Sequence, residues 1–306
     1  MRIALLIAAL LVLSGCQGMF QTKGNVQVPI VSIGTQGVEP VLTQNTPPRE
    51  VFEGSSFSMI VTLANLGTAD VDQGVYSLSY DPQYLYLPRQ QAIGSFAARG
   101  KSTFNPRGGE KQLNFVFDTK PLGPQLQGYP ATLTFTACYP YETSAPLIVC
   151  IDTDITGKQP NKACMPQTQS FGSGEGAPVA VATVETRMLP HEDPNRIRPE
   201  FVLTLRNLGG GGLVAQQYYR EACSGRALGE DAWNVVSVDA ALSDTMLTCT
   251  PTPVKVKQTG DTRVICTLPE GIPLTAGTYT SPLTVTVGYG YLKSINAQVN
   301  LVKPNI

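Results

Sequence analysis

Few residues in this chain have the type and spacing that chemistry needs. A single histidine, His191, serves all 306 residues. That argues against a His-based zinc site and against a Ser/His/Asp triad. Asp152-Thr153-Asp154-Ile155-Thr156-Gly157 opens like a calcium loop, with oxygens at its first, third and fifth positions. Its twelfth position is Ala163, which cannot supply the bidentate carboxylate, so a turn at a strand end is expected. His191-Glu192-Asp193-Pro194-Asn195 gathers a histidine and two carboxylates in a proline-bounded stretch without a partner motif, and reads as a hairpin loop. The run Gly209–Gly212 lacks the Gly-Lys-Ser/Thr ending of a phosphate cradle and reads as a loop too. No nucleophile–base pair and no paired catalytic carboxylates stand out. The expectation is a protein that is not an enzyme, with no catalytic residue, no metal and no cofactor. Trp233, the sole tryptophan, precedes the apolar stretch Val235–Val238 and is expected in a core or at a domain edge. Tyrosines cluster at Tyr84/Tyr86, Tyr139/Tyr141, Tyr218/Tyr219 and Tyr289/Tyr291, near expected strand ends. Tyrosine suits interfaces, but two of these pairs recur at one fixed offset, which assigns them mainly to the fold.

Composition narrows the class. Lys and Arg number 22 against 23 Asp and Glu, a net charge of −1, so the basic footprint of a nucleic-acid binder is missing. Charged residues make up only 15%, and 29 glycines with 24 prolines favour many short strands over long helices.

The amino terminus carries an address. Met1-Arg2 precedes an unbroken apolar run, Ile3 to Leu13. This run is too short to span a bilayer, which takes about 20 helical residues, but has the length of a signal-peptide core. It ends in Leu13-Ser14-Gly15-Cys16, which resembles the lipobox of prokaryotic lipoproteins. The resemblance implies cleavage before Cys16 and a covalent diacylglycerol on its sulfur. Gln17, which is not Asp, implies the outer membrane or cell surface in a two-membrane cell. No second apolar run of 18 residues follows, so the body is expected outside the membrane, held to the cell envelope by its lipid.

Six cysteines remain after Cys16: Cys138, Cys150, Cys164, Cys223, Cys249 and Cys266. An even number in an exported chain fits three disulfides. No Cys-x-x-Cys spacing supports a metal site instead. Short sequence loops favour Cys138–Cys150 and Cys249–Cys266, which leaves Cys164–Cys223.

The elements that carry these residues are duplicated. Val61-Thr-Leu-Ala-Asn-Leu-Gly67 returns as Leu203-Thr-Leu-Arg-Asn-Leu-Gly209, an offset of 142. Tyr129 to Tyr141 returns as Tyr279 to Tyr291, an offset of 150, with Tyr129, Leu133, Thr134, Thr136, Tyr139 and Tyr141 repeated in place. The second copy therefore holds about eight extra residues, placed in the stretch Val214 to Trp233. Phe57, Met59, Val61 and Leu63 alternate with Ser58, Ile60, Thr62 and Ala64, and Phe201, Leu203 and Leu205 with Val202, Thr204 and Arg206, the period of half-buried strands. Leu274-Thr-Ala-Gly277-Thr-Tyr279 and its shortened counterpart Leu126-Gln-Gly128-Tyr129 resemble the tyrosine corner of immunoglobulin-like sandwiches. With the Asn-Leu-Gly strand ends they are similar to the extracytoplasmic cell-adhesion-related domains of bacteria and archaea. The expected fold is all-β: a signal peptide over 1–15, a tether over 16–35, immunoglobulin-like sandwiches over 36–155 and 176–303, and a linker over 156–175. The resemblance implies a lipid-anchored binding or adhesion module for a protein or polysaccharide partner. The alternative is a structural subunit of an envelope assembly such as a pilus, secretion or surface-layer machine. No nucleic-acid partner is expected.

Overall fold

The computed structural model describes residues 33–88, 91–158, 160–172 and 174–304; Cys16 and the segment before Ile33 lie outside them. Strand takes up 56% and helix 5% of the described residues, which are all-β in class. The first copy supplies β1 (Val38–Leu42), β2 (Glu50–Phe52), β3 (Ser56–Asn65), β4 (Val71–Ser79), β5 (Leu85–Tyr86), β6 (Ile93–Ala98), β7 (Glu110–Thr119) and β8 (Gly128–Asp152). The second supplies β9 (Gln169–Ser170), β10 (Val179–Pro190), β11 (Arg196–Asn207), β12 (Gly212–Val214), β13 (Val235–Leu242), β14 (Thr245–Met246), β15 (Thr248–Thr250), β16 (Val254–Lys255), β17 (Thr262–Thr267), β18 (Ile272–Pro273) and β19 (Thr278–Val302). One short helix, α1 (Tyr219–Cys223), sits in the extra segment of the second copy.

Each copy builds a small sheet of its own, in the order β1-β3-β7-β5 and β15-β17-β11-β10-β9. The alternating apolar residues Phe57, Met59, Val61 and Leu63 of β3 face inward, and Phe201, Leu203 and Leu205 do the same on β11. Burying each such side chain contributes about 1.5–3 kcal/mol.

The third sheet belongs to both copies. Its order is β14-β13-β19-β8-β4-β6, with β2 and β12 added to β19 and β16 to β13. At its centre β8 and β19, 25 residues each, pair antiparallel over their whole length, from Gly128↔Val302 to Asp152↔Thr278. Odd-numbered residues of both strands point to the core, among them Leu133, Phe135, Val149, Leu283, Val285 and Val287. The even face is largely polar, with cross-strand hydrogen bonds Thr134–Asn296 and Thr136–Ser294 of 2.8 Å each.

Proline explains the local register. Pro130, Pro140 and Pro146 on β8 and Pro282 on β19 are all even-numbered, and even residues pair only with even ones. A proline has no N–H to give, so the even pairs are the non-bonded ones and the ladder bonds fall to the odd pairs. No neighbouring strand needs an N–H from these residues on the outward side, because β4 reaches only Thr134–Cys138 of β8 and β13 only Leu283–Gly288 of β19; at Pro282 it is the carbonyl that is used, accepting the Ser243 N–H at 2.7 Å.

The expectation of two sandwiches in tandem misses this shared sheet. Residues 128–152 contain no turn, so β8 leaves its own copy and runs on beside the other.

Candidate functional site

Four tyrosines meet where β8 and β19 cross the middle of the molecule. Ring centroids are 5.6 Å apart for Tyr139–Tyr141, 5.8 Å for Tyr139–Tyr291, 6.2 Å for Tyr141–Tyr289 and 6.2 Å for Tyr289–Tyr291. Each hydroxyl accepts a backbone N–H from an upstream segment: Tyr139 from Val38 at 2.8 Å, Tyr289 from Val179 at 3.2 Å, Tyr141 from Ala69 at 3.2 Å and Tyr291 from Gly211 at 2.7 Å. Burial pushes all four hydroxyls well above the ordinary tyrosine range. They stay protonated and act as hydrogen-bonding pegs, not as acids or bases. The Asn-Leu-Gly motif is the other half of the same contact. A methyl group at Gly67 would land on the Tyr141 hydroxyl, and one at Gly209 on that of Tyr291. Asn65 and Asn207 brace the two turns by donating their amides to the Ala69 and Gly211 carbonyls.

The tyrosine corner expected at Tyr129 and Tyr279 is therefore displaced along the strand. Tyr129 donates instead to the Asp81 carboxylate at 2.7 Å and packs on Tyr84. The backbone-bonded tyrosines are Tyr139 and Tyr141, with Tyr289 and Tyr291 in the second copy, which the sequence assigns to the fold without naming a partner.

The cysteines form Cys138–Cys223, Cys150–Cys164 and Cys249–Cys266. This corrects two of the three expected pairs. Cys138 and Cys150 lie on one uninterrupted strand, and twelve strand residues separate them by about 40 Å, far beyond disulfide reach. Both project from the even face, where each is covered by a different segment. Cys164 closes over Cys150. Cys223, at the end of α1, closes over Cys138 and so ties the second copy's extra segment to the first copy's strand. Tyr219 adds a hydrogen bond to the Gln73 carbonyl at 2.8 Å, and Arg220 reaches the Gln73 side chain at 3.3 Å. Trp233 packs, partly buried, against this patch together with Val75, Leu228 and Leu292.

On its other side the extra segment walls a cleft of about 600 Å³. Its apolar lining comes from Ala232, Val235, Val236 and Pro253, with Ala232 and Val236 buried at the floor. The rim carries Gln216, Gln217, Tyr218 and Asp231. Tyr218 is exposed, and the side chains of Gln216, Gln217 and Asp231 have no hydrogen-bonding partner among the described residues. Tyr219, its neighbour in sequence, is buried beneath.

The remaining residues singled out in the sequence serve structure. Asp152 accepts from the Asp154 N–H, the Thr278 hydroxyl and the Lys162 ammonium, the last at 2.6 Å. Lys162 also lies 3.5 Å from the Asp154 carboxylate, so an internal ammonium fills the place a cation would take. Burial opposes ionisation of Asp152, but these hydrogen bonds hold its carboxyl below the usual range. His191 accepts the Asp193 N–H at Nδ1, so Nε2 carries the proton it donates to the Pro269 carbonyl at 2.9 Å. Among the described residues no group of three His, Cys, Asp or Glu is placed to hold a metal, and no helix is long and apolar enough to cross a membrane.

No protein-family model matches the chain, and neither does any curated protein. Solved structures give faint likenesses. A DUF4466 family protein from Parabacteroides merdae aligns at 9% identity and a TM-score of 0.16, over 83% of this chain and 99% of that one. The serine-rich repeat adhesion glycoprotein Srr1 from Streptococcus agalactiae aligns at 9% identity and 0.18, over 90% and 98%. The CupB6 tip adhesin from Pseudomonas aeruginosa aligns at 7% identity and 0.15, over 89% and 98%. At such TM-scores the likenesses assign neither fold family nor function.

Proposed function

We propose that the chain is a lipid-anchored, extracytoplasmic binding module without catalytic chemistry, whose partner seats in the cleft walled by the extra segment. The observation that carries this is the departure from the repeat. Residues 214–233 have no counterpart in the first copy, are stapled across to it by Cys138–Cys223, and hold unpartnered amides and a carboxylate over an apolar floor. A rigid scaffold presenting one such surface suits recognition. Polar groups that can donate and accept beside an exposed tyrosine suit a polysaccharide or a polar protein segment. The three disulfides fit an oxidising compartment, and the sequence Leu13–Cys16 supplies the diacylglycerol that would fix the protein at the cell envelope, on the outer membrane or cell surface.

Each half reads as an immunoglobulin-like sandwich with an exchanged last strand. In the usual arrangement the last two strands form a hairpin. Here the first portion of β8 holds the penultimate place beside β4, and its continuation takes the last place in the other half, beside β19. The first portion of β19 sits beside β13 and its continuation closes the first half, where β2 joins it in parallel at Asn300–Val302. Both copies thus exchange one element within a single chain.

Detergent-solubilised protein, used to capture partners from envelope extracts, tests the cleft. A partner retained by the native protein and lost with Gln217→Ala and Asp231→Ala supports it; equal recovery overturns it. A second reading, a subunit of an envelope assembly, is favoured by β6, which ends the nine-stranded sheet without one charged residue from Gln91 to Ala98. An edge so unguarded suits strand addition by a neighbour, and stoichiometric recovery of one large complex would decide for it.

A further inference from the structure

The loop between β6 and β7 ends in a fully outward phenylalanine. Phe104 is 98% exposed, the most exposed large apolar side chain among the described residues. The loop that lifts it is bonded internally. Ser102 and Asn105 exchange backbone hydrogen bonds of 3.0 and 3.1 Å, the Ser102 hydroxyl accepts the Asn105 N–H, and Gly108 donates to the Asn105 carbonyl. Gly108, at φ +78°, sits so close to the Asn65 carbonyl that a side chain there would collide with it. Water gains nothing from a phenylalanine held out this way.

The segment around the tip is more basic than acidic. Lys101, Arg107 and Lys111 make no ion pair among the described residues, and Glu110 is the single acidic residue of the segment 99–111. Arg99 is spent on Asp70 and Asp72. The corresponding segment ahead of β17, residues 256–261, has no aromatic residue. Only the copy that continues from the amino-terminal segment carries the feature.

The position of the loop gives its partner. Its base rests on the turn Leu66–Thr68, with Lys101 donating to the Gly67 carbonyl at 2.7 Å. The described chain begins against that same turn: Leu66 donates to Gly37, Thr68 to Gly176, and Gly176 to Gly34. Only 16 residues separate Ile33 from Cys16, a reach of at most about 60 Å. The start of the described chain and the base of the Phe104 loop thus share one turn, and a tether of that length lets an acyl chain on Cys16 reach a bilayer that also meets Phe104.

We infer that the Phe104 loop is a second membrane contact, an aromatic tip that enters the bilayer interface while Lys101, Arg107 and Lys111 face anionic headgroups. This rests on the lipid anchor proposed above. An exposed apolar residue among cations is the pattern of interfacial binding, and one anchor with one such contact would fix which face of the protein looks away from the membrane.

The test uses the full, lipidated protein carrying Phe104→Trp, reconstituted on vesicles of phosphatidylcholine and phosphatidylglycerol. Native protein, whose only tryptophan is Trp233, supplies the emission to subtract. The added emission is expected to shift to the blue and to lose most of its intensity when the acyl chains are brominated. Lys101→Ser with Arg107→Ser is expected to reduce that quenching, as is raised salt. Protein that floats with the vesicles while the introduced indole keeps a water-like, unquenched spectrum overturns the loop contact and leaves the anchor intact; a protein partner for Phe104 would give this result. Protein that does not float overturns the anchor and the contact together. Because the side chain is exposed, the melting temperature of the variant should match that of the native protein, which separates a lost contact from a lost fold.

Discussion

Pro140 pairs with Gly290 across the central strands, and the two are repeat equivalents of each other, 150 residues apart. A residue that pairs with its own counterpart marks a local two-fold relation between the copies. Around that point Tyr139 faces Tyr291 and Tyr141 faces Tyr289, so each copy contributes both kinds of tyrosine. The relation also covers the hydroxyls. Tyr139 and Tyr289 reach the starts of β1 and β10, while Tyr141 and Tyr291 reach the turns after the Asn-Leu-Gly motifs. Gly290 departs from it, since Val214 and Tyr219 of the extra segment crowd that spot.

Removing equivalent pegs should have comparable effects. Tyr139→Phe and Tyr289→Phe each leave a buried N–H, that of Val38 or Val179, without its acceptor. A buried unsatisfied group costs about 1–3 kcal/mol, and urea denaturation should show a loss of that order for both. Because the copies share one sheet, a single transition is expected in each variant. Two resolved transitions, with only one moved, would show that the halves unfold independently.

The disulfides should differ in weight. Cys138–Cys223 closes a loop with a sequence separation of 85, Cys150–Cys164 one of 14. In the chain-entropy treatment these contribute about 4.5 and about 3 kcal/mol. Serine replacement of Cys138 and Cys223 should therefore lower the melting temperature more than replacement of Cys150 and Cys164. It should also make the segment 214–233 the first site of proteolysis. Peptide mapping without reduction should recover 138 linked to 223; a 138–150 link would contradict the shared-sheet fold itself.

β3 and β11 were legible because one face of each is buried, as the alternation of Phe57 to Leu63 shows. The repeated Tyr-x-Tyr and Asn-Leu-Gly motifs were legible as a duplication, and the structure makes them one contact. The exchange between copies was hidden in an absence. A hairpin between Tyr129 and Ile151 would need a turn, and the stretch around Pro140 offers neither Gly nor Asn. Proline is rare inside a central strand; the parity of Pro140 with Pro130, Pro146 and Pro282 makes it compatible with a straight one. The disulfides followed from the same oversight, since sequence nearness means little along an extended strand. Phe104 carried no periodic signal, because a loop tip has no neighbours of its own face to compare with.

Lys162 should be replaceable only at a cost that depends on pH. Its ammonium, with the Asp154 N–H and the Thr278 hydroxyl, keeps the Asp152 carboxyl depressed. A depressed carboxyl contributes stability that is present above its unfolded pKa of 3.8 and lost as pH falls through the folded value below it. In Lys162→Met, burial acts on Asp152 with less opposition. The acid-unfolding midpoint should move to higher pH, and stability at neutral pH should fall. An unchanged acid limb would show that the Asp154 and Thr278 hydrogen bonds suffice. The same variant tests the cation reading, because calcium should then bind no better than to the native protein if the missing twelfth-position carboxylate matters more than the lysine.

Glu175 should oppose folding at neutral pH. Only 6% exposed, it accepts the Val181 N–H at 3.2 Å, and its other carboxylate oxygen has no partner among the described residues. Burial raises its pKa from 4.5 to about 7. The sign is opposite to that of Asp152. Below pH 4.5 the carboxyl is protonated in both folded and unfolded chains, and its ionisation does not affect stability. As pH rises the unfolded chain releases the proton first, so stability falls through the window from 4.5 to about 7 and then levels off. The full penalty is about 3 kcal/mol. Glu175→Gln cannot ionise, so it should lose this slope, melting higher than the native protein at about pH 8 and close to it at about pH 4. A native melting temperature that stays flat between about pH 5 and pH 8, with no gain in the glutamine variant, would mean that water reaches the carboxylate and that the segment before β10 is looser than its hydrogen bonds to Thr68 and Gly34 indicate.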